Sequence, residues 1–347
     1  MRDRSIDPGF DIKKEMLRNS EDLKEQLSDF IKETVRDQFK KEGIIIGVSG
    51  GIDSAVIAAL AVDALGSDRV FGLILPEKES SPTSRELGID LCRALKIRYE
   101  EVPITPMVES FGIYSKKEAL IRELFPHYNP AIHATSLSRP PMIAAEKVLN
   151  IPSLKLLKNR ESLGTKRLTA SQFFYVLSLQ NVKQRTRMIV EYMFAEKMNY
   201  AVCGTTNKTE LLTGFFVKYG DGGVDLEPIA NCYKLQVYKL AELLHIDTRI
   251  ISRAPSPDTW SHFTSDEEVS LRIPYDILDQ LLYAEEHHLP KEIVQQSTNL
   301  DMQQIEWANK HIHSLKNAAR VLQISPPVCI GTGKEYISSD QLGNIPS

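Results

Sequence analysis

Long apolar runs are what this chain of 347 residues most plainly lacks. Nowhere do about 18 apolar residues follow one another, so no segment suits the core of a bilayer. The N-terminal stretch MRDRSIDPGFDIKKE has no apolar centre of the kind a secretory signal needs, and a cytoplasmic location is expected. Cysteine is scarce too. Cys92, Cys203, Cys232 and Cys329 stand far apart, without C-x-x-C spacing or paired histidines, which argues against a zinc site or a disulfide frame. They read as reduced, buried small hydrophobes. Positive charge is not in excess either: 42 Lys and Arg against 46 Asp and Glu leave a net charge of −4, so nucleic acid is not an expected partner. No internal repeat and no low-complexity tract is present.

What is there is the balance of an ordinary globular protein, with 42% hydrophobic and 25% charged residues. The length admits one large or two modest domains. Over 11–41 apolar residues recur at helical spacing, which predicts one amphipathic helix. Gly43 ends it, and Ile44, Ile45, Ile46, Gly47 and Val48 predict a strand buried on both faces. A helix is expected over 55–65, a strand over 70–75, a helix over 84–95 and a strand over 97–102. Further on, 181–197 reads as helix and 200–203 as strand. That alternation predicts a doubly wound parallel sheet flanked by helices. Pro126, Pro130, Pro140, Pro141 and Pro152 interrupt the pattern, and Lys155, Lys158, Arg160, Lys166 and Arg167 add a basic cluster. The expected organisation is one catalytic domain over 1–347, with an inserted excursion at about 125–180 and a helical C-terminal extension at about 275–347.

Between the first strand and its helix lies Ser49-Gly50-Gly51-Ile52-Asp53-Ser54. A glycine-rich turn at a helix N-terminus aims several backbone N–H groups one way and binds an anion. Asp53 would repel a bare phosphate, so its presence points to Mg²⁺ between carboxylate and phosphate. Read blandly, the same turn merely reverses the chain. It is neither the G-x-x-x-x-G-K-[ST] loop nor G-x-G-x-x-G.

The S-G-G-x-D-S order resembles the ATP pyrophosphatase families, whose loop holds the β,γ-pyrophosphate while a substrate attacks the α-phosphorus. With Asn181-Val182-Lys183-Gln184-Arg185 and the run from Gly204 to Asp225, which contains Lys218-Tyr219-Gly220-Asp221-Gly222-Gly223, the chain resembles the NAD synthases. The resemblance implies the adenine nucleotide α-hydrolase-like, Rossmann-like fold. It also implies a reaction: the nicotinate carboxylate of deamido-NAD is adenylated by ATP and then attacked by ammonia, giving NAD, AMP and pyrophosphate. Mg²⁺ is implied as cofactor, held by Asp53 and Glu210. ATP is implied at Gly47, Val48, Ser49, Gly50, Gly51, Ile52, Asp53, Ser54, Thr205, Lys234 and Ser256. Deamido-NAD is implied at Arg185, Lys218, Asp221 and Asp225. Asp53, Lys234 and Asp225 would be catalytic, Asp225 by taking a proton from the incoming ammonium. Taken singly, Arg185 or Lys218 reads as a solvated charge and Thr205 as a helix cap. A homodimer is implied as well. No glutamine-hydrolysing segment is evident, so free ammonia is the expected nitrogen source.

One segment departs from the family pattern. It reads Pro255-Ser256-Pro257-Asp258-Thr259-Trp260-Ser261-His262-Phe263-Thr264-Ser265-Asp266-Glu267-Glu268, keeping the acidic end and Tyr275-Asp276 but not the middle. In the family this stretch lies over the active site. The change motivates a second reading, an amide-forming or adenylating ligase of the same machinery acting on another carboxylate. A third reading, a nucleic-acid-directed relative or a binding protein without catalysis, is disfavoured by the net charge and the intact acidic pair.

Overall fold

The computed structural model describes residues 10–142, 151–159, 161–329 and 336–338. The helices, in chain order, are α1 (Ile12–Met16), α2 (Ser20–Glu33), α3 (Ile52–Leu65), α4 (Pro82–Ala94), α5 (Thr105–Ser110), α6 (Ile113–Leu124), α7 (Ala170–Met198), α8 (Lys208–Thr213), α9 (Lys234–Leu243), α10 (Thr248–Ile251), α11 (Tyr275–Glu286), α12 (Lys291–Thr298) and α13 (Met302–Gln323). The strands are β1 (Ile44–Gly47), β2 (Val70–Ile74), β3 (Arg98–Glu101), β4 (Ala134–Ser138), β5 (Ser153–Lys158), β6 (Glu161–Arg167), β7 (Ala201–Val202), β8 (Pro327–Cys329) and β9 (Tyr336–Ser338).

The central sheet runs in the order β3-β2-β1-β7, all parallel, with Ile45 opposite Phe71 on one side and Val202 on the other. Strands β1, β2 and β7 are apolar because both of their faces are covered, whereas the edge strand β3, Arg98-Tyr99-Glu100-Glu101, alternates exposed and half-buried residues. Ile44 and Ile46 pack with α2, α3, α4 and α9, whereas Ile45, Phe71 and Leu73 pack with α5, α6 and α7. Helix α3 is apolar on every side, as a helix sunk between a sheet and other helices must be. Strand order turns back beside β1, where β2 and β7 flank it, and the ligand crevice of an open α/β sheet forms at such a switch point.

Three sequence expectations need correction. The single helix over 11–41 is α1, α2 and a π-helical turn at Thr34–Gln38, since Ile12 and Met16 pack on α11 and α12 while Leu27, Ile31 and Val35 pack on α3. The helix expected from Asn181 starts at Ala170, where Thr169 and Gln172 form a reciprocal cap. The excursion therefore gives up its last eleven residues to α7, and the rest holds the antiparallel sheet β4-β5-β6. Leu154 and Leu156 point inward from β5, and Lys158, Lys166 and Arg167 are exposed, so most of the basic cluster is a solvated face. Arg160 lies outside the described residues. The C-terminal helices α11, α12 and α13 share an apolar core with α1 and the start of α9.

Candidate active site

The turn after β1 folds on itself. Ser54 Oγ donates to the Gly51 carbonyl at 3.0 Å and lies 3.1 Å from Ser49 Oγ, and Gly51 N donates to Ser49 Oγ at 3.2 Å. Gly50 has φ +73°, and a Cβ there would sit 2.2 Å from the Ser84 carbonyl of α4. Only glycine fits so close a crossing. The turn opens on a cavity of about 660 Å³, within the range of ligand sites. Its walls include Gly47, Val48, Ser49, Gly51, Ile52, Asp53, Ser54, Thr205, Glu210, Asp221, Lys234 and Ser256. Every expected ATP residue thus lines one chamber, except Gly50, which sets the turn from behind.

Lys234 opens α9 and is 1% exposed. Its Nζ reaches Asp53 Oδ2 at 2.5 Å and Glu210 Oε1 at 3.6 Å. Burial works against its charge, but Asp53, Glu210 and Asp266 outweigh burial and hold it protonated. Glu210 is placed by the cap of α8: its N–H donates to Asn207 Oδ1 at 3.0 Å, and its Oε2 accepts from Asn207 N at 3.2 Å. The other end of the Asn207 amide donates to Asp53 Oδ1 at 2.9 Å. Burial and the neighbouring Asp53 push the Glu210 carboxyl well up. Burial likewise raises Asp266 to about 6, against Lys234 and the Tyr275 hydroxyl that donates to it at 2.9 Å. Three acids around one lysine leave negative charge over. Asp53 and Glu210 offer the hard oxygens, one or two carboxylates completed by phosphate oxygens, that suit Mg²⁺. Among the described residues no three acidic, histidine or cysteine side chains form a cage by themselves.

Sequence reasoning passed over several positioning groups. Asp279 on α11 is fully buried, accepting from Thr209 Oγ1 at 2.6 Å and from Leu235 N at 2.8 Å, so it fixes α8 and α9 together behind Lys234. Arg187 donates to the Leu75 carbonyl at 3.3 Å and to Gln184 Oε1 at 2.9 Å. Glu191, also on the cavity wall, is raised to about 7 by burial, with Arg187 opposing and Asp221 assisting. Asn207 stands inside the quoted run from Gly204 to Asp225, Arg187 two residues beyond the other quoted motif, and Asp266 in the surviving acidic end; Glu191 carried no signal.

The residues expected to bind the dinucleotide divide. Asp221 faces the cavity, accepts from Val217 N at 2.7 Å and is raised to about 6, chiefly by burial. Arg185, Lys218 and Asp225 do not line it. Arg185 is exposed on α7 and donates to the Lys218 carbonyl at 3.3 Å, and Lys218 Nζ donates to the Ile324 carbonyl at 2.6 Å. Asp225 is exposed, accepting from Val202 N at 2.8 Å and from the Tyr192 hydroxyl at 3.0 Å. Asp225, expected to take a proton from the incoming ammonium, ties β7 to α7 through these two bonds, because the strand's last amide needs an acceptor.

An open parallel sheet, a glycine-rich turn opening on a cavity at its switch point and a buried lysine among acids are the marks of a nucleotide-activating α/β enzyme class. Within it, the family model for NAD synthase matches residues 23–127 and 155–318, and the chain belongs to that family. It is 36% identical over 302 residues to the NH₃-dependent NAD⁺ synthetase of Rhizobium rhizogenes, covering 87% of this chain and 90% of the relative. It is 40% identical over 261 residues to that of Thermotoga maritima, covering 75% and 85%. Its fold is shared with an NMN synthetase from Francisella tularensis (TM-score 0.61, 22% identity, 91% and 99% coverage). It is shared also with an NH₃-dependent NAD synthetase from Campylobacter jejuni (TM-score 0.56, 24% identity, 90% and 99% coverage).

Proposed function

We propose that this chain amidates deamido-NAD at the expense of ATP, using free ammonia and releasing AMP and pyrophosphate. The observation that carries this reading is the Lys234–Asp53–Glu210 cluster facing the S-G-G-x-D-S turn. A carboxylate oxygen is a poor leaving group, and adenylation replaces it with AMP. The turn's N–H groups and the α3 N-terminus hold the β,γ-phosphates, and Lys234 neutralises charge that grows on the α-phosphate as the carboxylate attacks. Mg²⁺ held by Asp53 and Glu210 would screen the phosphate charge when bound. Thr205 and Ser256 contact the nucleotide through their hydroxyls.

For the second half-reaction we assign Asp221 the role of receiving ammonium and taking its proton, since it is the dinucleotide-motif carboxylate that reaches the chamber. Arg185, Lys218 and Asp225 serve the outer part of the dinucleotide. Arg185 lies on an exposed stripe of α7 with Phe174, Ile189 and Met193, so a homodimer that covers this stripe would bring the outer substrate contacts under cover. No helix among the described residues is long and apolar enough to cross a membrane.

The test is direct: supply ATP, Mg²⁺, ammonium and deamido-NAD, and follow NAD and AMP. NAD formed one-for-one with AMP supports the assignment. AMP release driven by other carboxylates, without NAD from deamido-NAD, overturns it in favour of another amide-forming ligase. That second reading has one observation in its favour, the cavity wall that residues 137 and 139 supply from the stretch 128–154 that the family model passes over.

A further inference from the structure

The family model passes over residues 128–154, which include β4. That strand and the residues after it are hydrogen-bonded to the segment 255–272 that carries Ser256 and Asp266. Thr135 N donates to Ser261 Oγ at 3.0 Å, Arg139 N to the Glu268 carbonyl at 2.7 Å and Met142 N to the Arg272 carbonyl at 2.8 Å. In return Arg272 Nε donates to the Pro140 carbonyl at 2.7 Å. Trp260, in the middle of the segment, is buried against Leu137 and Leu154 and lines the cavity.

A buried charge cluster grips the same segment from the other side. Lys183 on α7, 1% exposed, donates to Glu77 and Glu79 at 2.7 Å each and to the Thr259 carbonyl at 2.9 Å. Lys117 on α6 donates to both Glu79 oxygens at 2.9 Å, and its Nζ stands 4.0 Å from the centre of the Trp260 ring. Tyr114 donates to Glu77 at 2.6 Å. Two lysines and two glutamates balance, so no net charge is stranded. Burying four ions is costly and is weak evidence for stability, but it fixes geometry where every partner is met. A cation–π contact is strongest when desolvated, as here.

We propose that Lys117, Lys183 and Trp260 are positioning residues that, with β4, brace the segment 255–266 against the nucleotide chamber before any nucleotide binds. Ser256 then meets ATP, with Asp266 already set beside Lys234, without an ordering cost at binding. The proposal rests on the reading of the chamber as an ATP site.

The test uses the full chain with Trp307, the other of its two tryptophans, replaced by phenylalanine, so that Trp260 alone fluoresces. The brace predicts that Trp260 is shielded from acrylamide in the nucleotide-free protein and that Mg–ATP adds little shielding. Lys117→Met should expose Trp260 and raise the KM for ATP by about tenfold while kcat moves less than about twofold, with Lys117→Arg restoring both. A Trp260 open to quencher until Mg–ATP is added overturns the proposal. So does a Lys117→Met protein whose Trp260 shielding and KM for ATP are unchanged. Shielding and Mg–ATP binding are read without the acid substrate, so a failure to make NAD from deamido-NAD would count against the function and leave the brace standing.

Discussion

At the residue scale the site turns on how one buried lysine is compensated. Lys234→Met leaves Asp53, Glu210 and Asp266 facing each other without their cation, and removing one member of a buried ion cluster costs about 3–5 kcal/mol. The variant should therefore melt well below the parent in calorimetry. AMP formation should fall at least about 100-fold, the usual consequence of losing a group that stabilises transition-state charge. A Lys234→Met protein with parental melting and turnover would remove the lysine from the mechanism. Asp221 gives a pH test. Its folded pKa is about 6, raised from 3.8 mainly by burial, so it is protonated, and unable to take a proton from ammonium, below that value. Activity (kcat/KM) should fall with pH through about 6, and the limb should vanish along with most activity in Asp221→Asn but persist in Asp225→Asn. Stability runs the other way. A carboxyl whose folded pKa is raised binds its proton more tightly when folded, so its contribution to stability declines between pH 3.8 and about 6 as pH rises. These residues were legible to different degrees. Asp53, Glu210 and Lys234 sit in or near distinctive motifs, but the partition between Asp221 and Asp225 depends on which carboxylate the strand β7 amide captures, and that is a tertiary fact.

At the element scale the phosphate cradle is a junction of β1, α3 and α4, and Gly50 is where they touch. Gly50→Ala puts a Cβ 2.2 Å from the Ser84 carbonyl at a positive φ, so the turn or α4 must shift. We expect ATP binding to weaken by at least about tenfold in calorimetric titration, since cradle N–H groups displaced by an ångström no longer point at the phosphates. Gly112→Ala is the control: φ is +68° but the space is open to 3.5 Å, so it should cost only about 1 kcal/mol and leave ATP binding alone. Equal effects from the two substitutions would show that backbone strain, not the crossing with α4, sets the turn. Local signals read this part of the chain well, because strands buried on both faces are wholly apolar and glycine marks the turn. They read α8 and α9 less well. Helix α8 has six residues, and both helices are held by the Asn207 and Tyr233 caps and by Asp279 from a distant helix. The break between α1 and α2 was hidden for a similar reason: helical spacing continues across it while the two pieces pack on different cores.

At the scale of the whole molecule, the 29 residues of α7 span roughly 43 Å and join the inserted sheet, the chamber and the outer surface. The inward side supplies Lys183, Arg187 and Glu191. The outward side is the anomaly, with Phe174, Ile189 and Met193 exposed by 64%, 60% and 54% around Arg185. Those four positions fall within about 100° of the helix circumference, a contiguous stripe of the sort that marks an interface. A stable homodimer needs about 1,200–2,000 Å² of buried surface, and a long helix pairing with its copy is a ready source of it. Light scattering should then report twice 39.2 kDa for the parent. Ile189→Lys places a charge at the centre of the stripe, opposite itself if the axis crosses there, and should give monomers with unchanged melting of the isolated fold. Because Arg185 shares the stripe and the ATP chamber does not, the monomer should keep its affinity for Mg–ATP and lose affinity for the dinucleotide. A parent that scatters as a monomer at micromolar concentration would refute the shared site, and would leave Arg185 and Lys218 as surface charges whose link to the substrate ends at the motif.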